Sequence, residues 1–232
     1  MNQTIALLIR TLSLLVICLS TVMSAAAQVA PSSSEVAQYT GILAAAHNGD
    51  SDELNVLLKS DIDLEIRDSN GRTPLLVAVF ASNDDIVQLL AEAGADMNAL
   101  DRSAYDGVTI AAVADDVEML KLLLSLGNSA ENITSPYDGT ALIAAAHLGH
   151  VEVVKLLINS EAPLDHVNNL DWTALIEAVV LGNGEENHIE TVRALLDAGA
   201  DKSIGDGQGI LPLQLARGLG YAEIVKLLGR EN

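Results

Sequence analysis

The sequence predicts an all-α solenoid of about six stacked helix-turn-helix repeats, set behind an N-terminal signal peptide. Three observations carry this. A helix-pair pattern recurs with first-helix starts near Thr40, Thr73, Asp106, Thr140, Thr173 and Leu211, in steps of 33, 33, 34, 33 and 38 residues. Units repeating at such a period stack because none can bury its apolar face alone. Hydrophobic residues make up 50% of the chain and aromatics only 3%, so the core is built from Ala, Leu, Val and Ile, which suits thin helices in close contact. The clearest copy, Gly139 to Leu157, encodes two helices and their turn: Thr140 caps the first, Gly149 interrupts, and Val151, Val154, Leu156 and Leu157 give the second an apolar side. The 232 residues suffice for one domain, or two small ones.

In chain order, residues 1–27 come first. Met1 to Arg10 carry the terminal amine and one Arg, Thr11 to Met23 are apolar, and Ser24-Ala25-Ala26-Ala27-Gln28 ends in small residues. These are the three parts of a secretory signal peptide, with cleavage expected between Ala27 and Gln28. The competing reading is an uncleaved anchor, but the apolar run falls short of the roughly 20 residues that span a bilayer. Cleavage removes Cys18, the one cysteine, leaving a chain indifferent to an oxidising compartment. Export across the inner membrane to the periplasm follows, with no stable membrane association afterwards. Residues 28–35, with Pro31 and three serines, read as a flexible leader, and 36–232 as the repeat domain.

Within the repeats, Thr73-Pro74-Leu75 follows Asn70-Gly71-Arg72, and Gly94-Ala95-Asp96 and Gly199-Ala200-Asp201 close second helices. Thr140-Ala141-Leu142, Thr173-Ala174-Leu175 and Leu211-Pro212-Leu213 are weaker copies of the opening. On these residues, from about Val36 to Asn232, the chain resembles the ankyrin repeat family, whose unit is a β-turn finger plus two antiparallel helices. The Thr-Pro opening supplies a cap and a residue suited to the first helical position. The alanines of Ala44-Ala45-Ala46 and Ala144-Ala145-Ala146 let neighbouring units approach. Where the family places a His in the first helix, this chain has Leu43, Leu76, Thr109, Ile143, Ile176 and Gln214. Without that histidine's hydrogen bond, the fingers are expected to rest more on apolar contact. The third unit, opening Asp106-Gly107-Val108-Thr109, is the most degenerate, and Asn183 to Asn187 form an insertion in the fifth.

Charge narrows the function. Against 32 Asp plus Glu stand 12 Lys plus Arg, a formal net charge of −20, which excludes nucleic acid, whose recognition needs cations at phosphates, and favours a basic protein partner. No Gly-x-Ser-x-Gly elbow occurs, and Gly205-Asp206-Gly207-Gln208-Gly209 lacks the preceding strand of a phosphate loop. Catalytic residues, metal ligands and cofactors are therefore expected to be none. His147 and His150 stand three apart but Gly149 separates them, so structural use is the expectation. Glu185, Glu186, His188 and Glu190 form an acidic cluster without the spaced carboxylates of a calcium loop.

The resemblance implies a concave face and fingers that meet another protein. The residues expected there are Phe80, Val113, His147, Leu148, Val180 and Leu181 after the first-helix alanines, and Leu100, Tyr105, Ile133, Tyr137, Val167, Leu170 and Trp172 on the fingers. The expectation is a non-catalytic interaction module, monomeric until it meets its partner. The alternatives are an immunity or inhibitor protein acting on a secreted toxin or hydrolase, and an accessory to a periplasmic oxidative-stress enzyme.

Overall fold

The computed structural model describes residues 28–230, so the expected signal segment lies outside the described residues, as does the expected cleavage after Ala27. A one-turn helix α1 (Ser33–Val36) is followed by six helix pairs. They are α2 (Gly41–Asn48) with α3 (Ser51–Leu57), α4 (Pro74–Phe80) with α5 (Asp84–Glu92), and α6 (Gly107–Val113) with α7 (Val117–Ser125). Then come α8 (Ala141–Leu148) with α9 (Val151–Asn159), α10 (Ala174–Val180) with α11 (Glu186–Asp197), and α12 (Pro212–Leu219) with α13 (Ala222–Leu228). The described residues contain no strand, only an isolated antiparallel bridge between Thr134 and Gly139.

Side-chain chemistry sets the starts. Thr73, Asp106, Thr140 and Thr173 each accept a hydrogen bond from a backbone N–H of the first turn they precede, meeting one of the helix's orphan donors. Thr40 makes no such bond, and at Leu211 the Gln214 side chain reaches back instead, accepting from the Leu211 N–H at 2.9 Å. Each first helix packs on the first helices of its neighbours and each second helix on the second, giving two rows. Between the rows lies one continuous apolar core, in which Ala45, Ala78, Ala111, Ala145, Ala178 and Ala216 recur buried at one position of the first helix. A methyl at this position lets two helix backbones come close, which is why aromatic bulk is scarce.

The rows are also latched by hydrogen bonds. Residues at or near the starts of second helices bind carbonyls at the end of the preceding pair's first helix: Asn83 Nδ2 donates to Ala46 O at 2.9 Å, and His150 Nδ1 stands 2.9 Å from Ala112 O. His188 Nε2 lies 3.0 Å from His147 O, and the Tyr221 hydroxyl donates to Gly182 O at 2.9 Å. His150 and His188 thus serve structure. The insertion splits into a short loop and an extra turn that lengthens α11. Gly182 is needed beside it, since a Cβ there would fall 2.2 Å from Ala178 O and 2.6 Å from the His188 ring.

The fingers correct one expectation: polar closure holds them. Asp68 Oδ1 accepts from the Asn70 and Arg72 N–H groups, Asp101 Oδ1 from Ser103 and Tyr105, Asn168 Oδ1 from Leu170 and Trp172, and Asp206 Oδ1 from Gln208 and Ile210. In the finger bridged between Thr134 and Gly139, Ser135 Oγ takes this part. In the other four fingers an Asx side chain that mimics a backbone turn supplies the order. Further, the supposedly degenerate third unit holds a buried network. Asn128 Oδ1 accepts from Val108 N–H, and its Nδ2 donates to Asp106 and Asn98.

Residues 28–35, expected as a flexible leader, are tied to the first finger. Arg72, 1% exposed, donates to Asp68 at 2.7 Å, to Glu35 at 2.5 Å and to Val29 O at 3.0 Å. Glu35 in turn belongs to a capping box with Ser32 and also accepts from Asn70 Nδ2, so the guanidinium and the tip of the first finger together fix the segment.

Candidate functional site

The fingers form a connected strip. Arg102 N–H donates to Asn70 O at 2.9 Å, Ser135 N–H to Ala104 O at 2.8 Å, and Asn169 N–H to Tyr137 O at 2.9 Å, each bond joining neighbouring fingers. Along this strip Leu100, Ile133 and Val167 are exposed, one on each of three successive fingers, and so is Ile66 on the finger before. Leu148, at the end of α8, is exposed as well.

The other residues expected on this face divide. Phe80, Val113, Tyr137, His147, Leu170, Trp172 and Leu181 are half-buried, and Phe80, Trp172 and Leu181 pack against the core. Phe80 also lies under the Arg72 guanidinium, 5.8 Å from its ring centroid. Tyr105 and Val180 are buried in the core and present no surface for a partner. Tyr105 ends the second finger, where burial raises its hydroxyl's pKa, and Val180 closes a helix that is buried along its whole length. Its finger position led to the expectation of a partner contact, but the Tyr105 side chain lies in the core.

One feature of this face was missed. Glu177, 2% exposed, sits in α10 where the other first helices carry Ala44, Val77, Ile110, Ala144 and Leu215. Its Oε1 accepts from Asn168 Nδ2 at 3.1 Å, while Oε2 has no hydrogen-bond partner and lies 3.5 Å from His147 Nδ1. Burial raises its pKa to about 7, and the Asn168 bond opposes the shift only in part. His147 moves the other way: burial lowers its pKa, with His188 adding to the effect. The signal was present in the sequence as the single charge within the apolar run Ala174-Leu175-Ile176-Glu177-Ala178-Val179-Val180.

No group of three or more His, Cys, Asp or Glu among the described residues is placed to hold a metal ion. In the acidic cluster, Glu190 is paired with Arg193 at 3.1 Å and Glu185 accepts from Asn183 at 3.0 Å. No helix among the described residues is long and apolar enough to cross a membrane.

Comparison with known proteins bears on this geometry. A family model described as ankyrin repeats (3 copies) matches residues 15–101 and 108–206. The chain is similar to the putative ankyrin repeat protein YahD of Escherichia coli, at 38% identity over 98 residues, 42% of this chain and 49% of that protein. It therefore spans about half the length of that relative. Among solved structures, an ankyrin repeat domain from Acinetobacter baumannii superposes with a TM-score of 0.77 at 43% identity, covering 81% of this chain and 95% of the other. A second ankyrin repeat protein gives 0.78 at 33% identity, covering 84% of this chain and 100% of the other. A chain from the complex of a predatory endopeptidase of Bdellovibrio bacteriovorus with an immunity protein gives 0.65 at 24% identity, over 84% of this chain and 99% of that one. That last likeness is one of fold.

Proposed function

The chain belongs to the ankyrin repeat family, a family of protein–protein interaction modules, and from that premise we propose that it is a non-catalytic binding protein that takes its partner across the finger strip and the adjoining ends of the first helices. The observation that carries this reading is the row of exposed apolar side chains, Ile66, Leu100, Ile133 and Val167, on fingers held in register by backbone hydrogen bonds. Scattered exposed apolar residues need no explanation, but a row repeated finger after finger makes a surface that gains by being covered. The net charge of −20 favours a basic partner and speeds its approach.

In this reading the protein works in the periplasm as a monomer until its partner binds. The tripartite pattern of residues 1–27 and the absence of cysteine after Ala27 support that location. Cell fractionation with N-terminal sequencing tests it: periplasmic protein beginning at Gln28 is expected, and cytoplasmic protein beginning at Met1 overturns it. For the binding face, Leu100, Ile133, Leu148 and Val167 are changed together to Ser, and proteins captured from a periplasmic extract are compared with those captured by the unaltered chain. Loss of the captured proteins with an unchanged circular dichroism spectrum is expected; identical capture removes the face from the account.

A second reading is inhibition of a secreted hydrolase, drawn from the endopeptidase–immunity protein complex among the fold neighbours. A hydrolase gene beside this one, and inhibition of its product by the purified protein, would carry that reading.

A further inference from the structure

Glu177 Oε2 is an acceptor without a donor. Glu177 Oε1 is met by Asn168, but Oε2 is hydrogen-bonded to nothing, and the nearest group able to carry a positive charge, His147 Nδ1, stands 3.5 Å away without making a hydrogen bond. Buried carboxylate oxygens are normally paired, and one left unpaired is costly unless protonated. The three helices packed against α10 supply no other cation. On α8 the single titratable residue is His147; on α11 His188 has both ring nitrogens occupied, by His147 O at 3.0 Å and Asn183 Oδ1 at 3.1 Å. Also on α11, Arg193 is paired with Glu190, while Glu186 and Asp197 bring only negative charge, and on α12 Arg217 is exposed to solvent.

The position of this oxygen matters. His147 is 35% exposed and is followed by the exposed Leu148, so Oε2 lies one imidazole ring beneath the face assigned to the partner. The sister positions Ala44, Val77, Ile110, Ala144 and Leu215 show that stacking does not require a carboxylate here.

We propose that Glu177 and His147 form a receptor for a single arginine side chain presented by the partner: the His147 ring, which covers the buried Oε2, turns aside, and the guanidinium stacks on it while donating to Glu177 Oε2. This rests on the reading of the concave face as the binding surface and names the chemistry of its anchor. Arginine fits better than lysine because its planar, weakly hydrated head stacks on an aromatic ring while its N–H fork reaches a carboxylate. The excess of acidic over basic residues draws such a group in.

The full chain, with its histidines isotopically labelled, is titrated with N-acetyl-arginine amide and followed by NMR at the His147 ring. Saturable shifts are expected, weaker by several-fold with N-acetyl-lysine amide. Because the guanidinium takes the ionised carboxyl, affinity rises about tenfold between pH 6 and pH 8. Glu177→Gln weakens binding by at least tenfold. Glu177→Ala, which installs the residue found at the sister positions 44 and 144, abolishes it while leaving the unfolding transition cooperative. Absence of His147 shifts, or shifts in the two Glu177 variants equal to those of the unaltered chain, overturns the proposal. The probe needs no partner, so the two readings fail separately. A silent titration with partner capture still lost in the finger variant removes the anchor alone, and a saturable titration with unaltered capture removes the assigned surface.

Discussion

Two buried ionic clusters stand at different places in the solenoid, and they are opposites. At the first finger Arg72 is inaccessible, yet it is met by Asp68, Glu35 and the Val29 carbonyl, and the Tyr39 hydroxyl donates to Asp68 at 2.7 Å. Burial works to raise the Asp68 pKa, but the hydrogen bonds from Tyr39 and Arg72 outweigh it and hold the carboxyl below its ordinary value. Between the fourth and fifth helix pairs, Glu177 has one neutral donor and no cation, and its pKa goes up. Burial is common to both. A complete set of partners turns buried charge into a structural tie, and an incomplete set leaves chemistry available to something else.

The strongest way to break this contrast is to remove the tie. Arg72→Met leaves two carboxylates without their cation and should cost about 3–5 kcal/mol in denaturant unfolding, with loss of hydrogen-exchange protection over residues 32–36. If the cost is below about 1 kcal/mol, the first cluster is not the anchor described.

Glu177→Leu should act with the opposite sign. A carboxyl whose folded pKa lies above its unfolded value of 4.5 contributes stability that is fully present below pH 4.5 and lost as pH rises through about 7. Leu, the residue at the sister position 215, removes that loss. The variant should gain up to ~3 kcal/mol over the parent at pH 8 relative to its standing at pH 4.5, measured by urea unfolding across that range.

Asn168→Asp sharpens the comparison further. The finger closure through Oδ1 survives, but the donor to Glu177 is exchanged for a second carboxylate. A loss of about 2 kcal/mol is expected at pH 8, shrinking at pH 5, where a protonated Glu177 can itself donate. The smallest effect belongs to the paired cluster: Tyr39→Phe removes one of several bonds to Asp68 and should cost about 1 kcal/mol in the same assay.

The helical solenoid was legible because its determinants are local. A capping Thr, a following Pro, small residues at helix contacts and Gly at the turns all speak through neighbouring positions. The Asx closure of the fingers was equally local, at Asp68, Asp101, Asn168 and Asp206. Each of these residues stands five places before a first-helix start, a spacing that marks the finger turn in the sequence itself. The site was less legible for a physical reason. Whether Tyr105 or Trp172 faces solvent depends on which neighbouring unit covers it, a contact between residues far apart in sequence. Glu177 looked like a charge misplaced in an apolar helix, and its meaning depends on Asn168 from the finger and His147 from the preceding unit. Arg72 and Glu35, far apart in the chain, gave no local sign of meeting.

The contrast between a completed and an uncompleted ionic cluster comes down to the titration of one side chain. Carbon-detected NMR of the Glu177 carboxyl in the free protein, assigned by comparison with Glu177→Gln, measures it directly. The account predicts a midpoint near pH 7. A midpoint in the ordinary range around 4.5 would mean that Oε2 already has its donor within the chain, and would contradict it.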